Sequence, residues 1–184
     1  EGFRWLPDGK RIAFVSWVWP DAKGAKAQAK RHKLEHDRKE TGYATGEALW
    51  RYWDHNIPRG RAAHLHVVDV DDGGDVNDGS GGKHRDLFEG SGVELFRAEP
   101  DAKCFDIAPD GRRIAFAHDT AKEKRLDNVQ SIAEIEIATR RITTLVTDKA
   151  WDCTVPAYSP GGERVAFIAS HQGRKHTMPQ QLAI

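Results

Sequence analysis

Three short stretches carry apolar side chains on both faces, and each follows the same tight turn. Ile12 and Phe14 oppose Ala13 and Val15, Ile114 and Phe116 oppose Ala115 and Ala117, and Val165 and Phe167 oppose Ala166 and Ile168. Alternation with a period of two predicts strands, and apolar residues on both faces predict strands buried on both sides. The recurring Ala opposite a recurring Phe predicts small-against-large packing between neighbouring sheets. The turns are Leu6-Pro7-Asp8-Gly9, Ala108-Pro109-Asp110-Gly111 and Ser159-Pro160-Gly161-Gly162. Proline presets φ at the first corner, and the glycine can enter the left-handed region that closes a bulged hairpin.

The turn prolines are 102 and 51 residues apart, so the spacing predicts a repeat with a long insertion in its first copy. Flanking segments supply the other strands. In the second unit these are Cys104 to Ala108, Ala133 to Ala138 and Ile142 to Thr147, with a turn at Thr139 to Arg141. The first unit ends with His64 to Val70, an acidic turn from Asp71 to Gly82, and His84 to Phe88. The third opens with Trp151 to Tyr158 and Glu163 to Ser170, and His171 to Ile184 begins its next strand. Four antiparallel strands per unit of roughly 50 residues is the pattern of a β-propeller blade. The fold expected is all-β, with about two and a half propeller blades and one partly helical insertion. Blade one takes residues 1–90 with the insertion at 20–63, blade two 91–148, and the start of blade three 149–184. Closed propellers have roughly 4–8 blades, so part of a longer chain is expected.

The insertion opens with Lys23 to Lys39, where seven basic and two acidic residues surround several alanines. This composition favours helix, and the lack of an apolar stripe predicts a solvated one. Across all 184 residues, 28 basic and 28 acidic side chains cancel. A neutral chain exerts no global pull on nucleic acid or membrane, and neither is expected as a partner. No apolar run reaches the roughly 18 residues of a membrane span. No charged segment followed by an apolar one opens the chain, so a cytoplasmic setting is expected, with a periplasmic one as the alternative. Two cysteines exclude a disulfide-rich scaffold, and Cys104 and Cys153 are expected as free thiols, with a disulfide between them as the alternative.

The segment LWRYWDHNIPRGRAAHLHVVDV, Leu49 to Val70, narrows the choice. Its Trp53-Asp54, Gly60-Arg61, His64-Leu65 and Val67 to Val70, followed by Arg85-Asp86-Leu87, resemble the first blade of prolyl oligopeptidase family serine peptidases. The likeness is to the bacterial dipeptidyl-aminopeptidase and acylaminoacyl-peptidase type. The resemblance implies an N-terminal propeller that gates a C-terminal α/β-hydrolase domain holding the catalytic Ser, Asp and His. Its implied partners are short peptide substrates, that hydrolase domain and a further copy in a homo-oligomer. No G-x-S-x-G nucleophile elbow occurs here; Gly79-Ser80-Gly81 and Gly90-Ser91-Gly92 come nearest, so no catalytic residue is expected in this segment. Some dipeptidyl peptidases hold the substrate's N-terminal ammonium with a Glu pair in a propeller insertion. The candidate substrate-binding residues are therefore Glu47, Arg51 and Trp53, with packing of the tryptophans as the alternative. The Pro-Asp-Gly turn also occurs in TolB-like propellers, so a protein-interaction scaffold with no attached enzyme is the second expectation.

No cofactor or metal is expected. His64 and His66 share a strand face near His55, but zinc needs further ligands, and hydrogen-bonded histidines are the expectation. His32 and His36 lack the glutamate of H-E-x-x-H. The acidic turn with Asp69, Asp71, Asp72, Asp75 and Asp78 lacks the glycine and final glutamate of a calcium loop.

Overall fold

The computed structural model describes residues 2–40, 42, 52, 60–70, 84–98, 100–121, 129–174 and 177–184. Its strands are β1 (Phe3–Trp5), β2 (Arg11–Val18), β3 (Ala62–Asp69), β4 (Arg85–Asp86), β5 (Phe105–Ile107), β6 (Arg113–Asp119), β7 (Gln130–Glu136), β8 (Ile142–Thr144), β9 (Trp151–Tyr158), β10 (Val165–His171) and β11 (Gln181–Ala183). They form two four-stranded sheets, β1-β2-β3-β4 and β5-β6-β7-β8, and a three-stranded sheet of β9, β10 and β11. Every strand pairs antiparallel with its sequence neighbour inside its own sheet. The fold is therefore all-β and built of propeller-type blades, with one helix, α1 (Gly24–His36), in the insertion.

The repeated turns have one geometry. Gly9, Gly111 and Gly162 sit at φ 65°, 66° and 79°, the left-handed region where a β-carbon is unfavourable. In each turn the glycine N–H donates to the residue before the proline, at 2.8–3.0 Å. The residue before the proline donates in turn across the hairpin, Leu6 to Arg11, Ala108 to Arg113 and Ser159 to Arg164. The aspartate in two of these turns accepts from the following backbone: Asp8 from Lys10 and Arg11, and Asp110 from Arg112. This local bonding sets the register, which pairs Phe3 with Phe14 and Phe105 with Phe116.

Successive sheets stack face to face. Ala13, Val15, Ala63 and Leu65 of the first sheet join Ile114, Phe116 and Ile135 of the second in one core. Ala117 and Ile132 of the second sheet join Cys153, Ala169 and Phe167 of the third. Small residues of one blade thus meet bulky residues of the next at both junctions. Phe88, after β4, completes the first junction with its ring 4.7 Å from that of Phe116. A polar latch repeats beside this packing. The Arg11 Nη2 donates to the Gly111 carbonyl at 3.3 Å, and the Arg113 Nη2 donates to the Gly162 carbonyl at 3.2 Å.

Burial on both faces holds for the middle blade and not for the others. In β6, Ile114, Ala115, Phe116 and Ala117 are all buried. In β2, Ile12 and Phe14 are half-buried, and in β10, Val165, Ala166, Phe167 and Ile168 are all half-buried. The pattern is the same, but among the described residues the second sheet alone has a sheet on either side of it. Two other details differ from the sequence expectation. The outer strands are shorter, with β4 reduced to two residues and β8 ending at Thr144. The ladder between β9 and β10 shifts register between Ala166 and Ile168, with Val155 at φ 54° on the opposite strand. A bulge breaks the alternation there.

The helix forms where the alanine- and lysine-rich composition places it, and none of its residues is buried. Gln28 ties it down by accepting from the Trp19 N–H and donating to the Trp19 and Ala22 carbonyls.

Phe14 and Phe116 occupy one repeat position in different surroundings. Phe116→Ala is expected to cost about 3–5 kcal/mol. Phe14→Ala is expected to cost less than half of that, because its face has no adjoining sheet. Urea unfolding of the two variants checks the ordering.

Candidate functional site

The most concentrated polar chemistry lies on the face of the first sheet turned away from the second. Alternation along β3 puts His64 and His66 on that face, as the i, i+2 spacing predicts. Asp86 on β4 stands opposite His66 in register. The His64 Nδ1 is hydrogen-bonded to the Asp86 carboxylate at 2.9 Å. The same carboxylate accepts from the Phe88 N–H at 2.9 Å. The His66 Nδ1 is hydrogen-bonded to the His84 Nε2 at 2.9 Å, and the rings of Phe14, His66 and His84 lie stacked.

Helix α1 roofs part of this face and encloses a cavity of about 430 Å³. Trp17, Trp19, Gln28, His66, His84 and Asp86 are among its walls. Arg61 helps hold this end of the sheet, with its guanidinium 4.0 Å above the Trp19 ring. The burial that this stacking imposes lowers the Arg61 pKa, offset in part by Glu35.

Burial governs the ionisation of these groups. His66 is 2% exposed, and desolvation pushes its pKa down to about 4, the Asp86 charge opposing and His84 and His64 reinforcing the shift. Its imidazole is therefore neutral at pH 7. Among the described residues its buried Nε2 meets no hydrogen-bond partner. Burial raises the Asp86 pKa, but the hydrogen bond and charge of His64, the charge of His66 and the Phe88 N–H outweigh it, and the net shift is downward.

Among the described residues no nucleophilic triad forms at this site. Ser16 stands opposite His64 in register, yet no hydrogen bond joins their side chains. Ser91, in the nearer approach to a nucleophile elbow, holds a turn: its hydroxyl donates to the Phe88 carbonyl at 2.7 Å and accepts from the Val93 N–H at 3.1 Å. Among the described residues no three His, Cys, Asp or Glu side chains converge as metal ligands.

Glu47, Arg51 and Trp53, the candidate substrate-binding residues, lie outside the described residues, as do His55, the acidic turn at 71–83 and the Gly79-Ser80-Gly81 approach. Beside them, Tyr52 packs edge-on against Phe96 at 5.4 Å. Cys104 and Cys153 form no disulfide. Burial, with the charges of Asp152 and Asp148, raises the Cys153 thiol to about 11, so it stays protonated. A second cavity of about 860 Å³ opens between the second and third sheets. There the Tyr158 hydroxyl donates to Glu134 at 2.6 Å, and Arg113 pairs with the same carboxylate at 3.2 Å. The spacing of His64 and His66 was visible in the sequence. Their pairing with Asp86 and His84, about 20 residues on, was not, because it depends on the register between β3 and β4.

Comparison with protein-family models gives no match, and comparison with curated proteins gives none either. Among solved structures the chain is similar to TolB from Acinetobacter baumannii, at 14% identity and a TM-score of 0.48, over 99% of this chain and 28% of that one. The chain thus spans little more than a quarter of that protein's length. None of these comparisons places the chain in the prolyl oligopeptidase family.

The lowered pKa of His66 makes stability depend on pH. Protonation is resisted in the folded state and free in the unfolded state, so the stabilisation is complete above about pH 6.5 and is lost as pH falls toward 4. The expected loss is about 2–3 kcal/mol across that window, and His66→Phe is expected to flatten it. Urea titrations of both proteins at several pH values check this.

Proposed function

We propose that the chain is a non-catalytic propeller segment of a serine peptidase that cleaves short peptides. In this reading its blades gate access to an α/β-hydrolase domain outside these 184 residues, and the triad belongs to that domain. The observation that carries the reading is the bond between His64 and Asp86. It ties together the His-Leu and Arg-Asp-Leu pieces of the resemblance, which are separated in sequence and adjacent at the rim of one blade. The role of Ser91 within a turn supports a non-catalytic segment. The parent enzyme takes short peptides as substrates, needs no cofactor and works in the cytoplasm, with Glu47, Arg51 and Trp53 contacting the peptide. A scaffold role without an enzyme is the second reading, and the exposed Phe3 and Trp5, two positions apart on β1, favour it, since exposed apolar surface marks association sites.

A fluorophosphonate probe, which phosphonylates activated serines with loss of fluoride, separates the two. The expected result is labelling of the full-length gene product at a serine outside residues 1–184, with no labelling of the 184-residue chain. Labelling of Ser16 or Ser91, or a full-length product that takes no probe, would sink the peptidase reading.

A further inference from the structure

Helix α1 buries none of its residues, yet it lies against the first sheet and roofs the cavity of about 430 Å³. Gly24, Ala25, Gln28, Ala29 and His32 form the helix side of that cavity. These positions recur three and four apart, so they share one side of the helix. Three of them are glycine or alanine, and they leave the space that longer side chains would fill. Lys26, Lys30, Arg31 and Lys33 are exposed and stand outside the wall. The volume falls within the roughly 300–1,000 Å³ of small-ligand sites. None of the wall belongs to β1 or to the third sheet, and the roof is the chain's own helix.

The facing wall is charged, and the charges are separated by sign. Alternation along β4 puts Arg85 level with Val67, on the side of the second sheet, where its Nη1 donates to the Ile137 carbonyl at 2.9 Å. Arg140, in the turn between β7 and β8, joins it from the second sheet. Glu89 bridges Arg140 and the helix, accepting from the Gly24 N–H at 2.7 Å and lying 3.8 Å from the Arg140 Nη1. Asp86 is on the other side of β4, level with His66. Two guanidiniums less one carboxylate leave one net positive charge beside the second sheet, and Asp86 places one negative charge away from it. Among the described residues Arg85 has no carboxylate partner, and Asp86 pairs with His64 alone. His66 adds a polar group on the side of Asp86. It is 2% exposed and lines the cavity, and its Nε2 meets no hydrogen-bond partner among the described residues. Val18, Trp19, Ala25 and Ala29 make other parts of the wall apolar.

From this arrangement we infer that the cavity binds a small zwitterion, an α-amino acid with an apolar side chain. Its carboxylate meets Arg85 and Arg140, because a planar guanidinium matches a carboxylate. Its ammonium meets Asp86, and its side chain lies against the alanines of α1. A net anion is opposed by Asp86 and Glu89 and a net cation by the two arginines, so the charge pattern selects a ligand that carries both signs. The inference rests on this cavity and not on the peptidase reading.

The test is isothermal titration calorimetry of L-leucine into the full-length gene product and into the 184-residue chain. Each is expected to bind one molecule per chain, with a dissociation constant of about 1 mM or below. N-acetyl-L-leucine lacks the ammonium and L-leucinamide lacks the carboxylate, and each is expected to bind about tenfold more weakly or worse. Ala29→Trp fills the cavity from a helix with no buried residue, so its circular dichroism is expected to match wild type while binding is lost. Lys30→Trp puts the same ring outside the wall and is expected to leave binding unchanged. Arg140→Gln, at an exposed position, is expected to weaken L-leucine by about tenfold. The inference is overturned if either protein gives no binding, if the two analogues bind as tightly as L-leucine, or if binding survives Ala29→Trp. The readout is binding without catalysis, so its failure is distinct from a failure of the probe experiment.

Discussion

Everything in this molecule depends on one junction, the stacking of a small-residue sheet face on a bulky one. A four-stranded antiparallel sheet alone leaves one apolar face in water and is marginal at best. The sequence puts Ala and Val on one face of the second strand and Ile and Phe on the other. Ala13 and Val15 share one buried core with Ile114 and Phe116, and Ala117 shares another with Phe167. Dispersion contacts and water exclusion along this surface are non-directional, so they set the spacing of the sheets without setting their lateral alignment. The arginine latch adds direction, because a guanidinium must meet a particular carbonyl on the next turn.

The outer rim of the first blade follows a different rule. On its outer face two pairs of polar groups, His64 with Asp86 and His66 with His84, close the sheet. Asp86 accepts from the backbone and from an imidazole, enough to overcome the cost of its burial. His66 hydrogen-bonds to the His84 imidazole and is forced neutral by desolvation. The two histidines, two positions apart on one strand, differ in their partners: His64 faces a carboxylate and His66 faces an imidazole. The solvated helix shields this rim without contributing to the core, held by Gln28, which bonds to Trp19 and Ala22 just after β2, and by the Gly24 N–H, which donates to Glu89.

Much of the fold was legible because its signals are local. A Pro-Asp-Gly turn dictates its own hydrogen bonds, and alternation dictates which side chains share a face. The blade pattern, the helix and the shared face of His64 and His66 follow from such signals. The partners of those histidines do not. They lie across the ladder between β3 and β4, where a shift of one residue would turn every side chain to the other face. Glu47, Arg51 and Trp53 were reached through a resemblance alone, and they lie outside the described residues.

The sequence by itself determined the blade: its turns, its strands, and the assignment of small residues to one face and bulky residues to the other. Tertiary structure alone decided which of those faces are buried. Phe14 and Phe116 stand at one repeat position with one pattern around them, and Phe3 and Phe105 likewise. The first of each pair meets solvent and the second lies in the core. The physical reason is that burial belongs to a pair of surfaces. A strand can specify its own two faces, but not the number of sheets stacked against them.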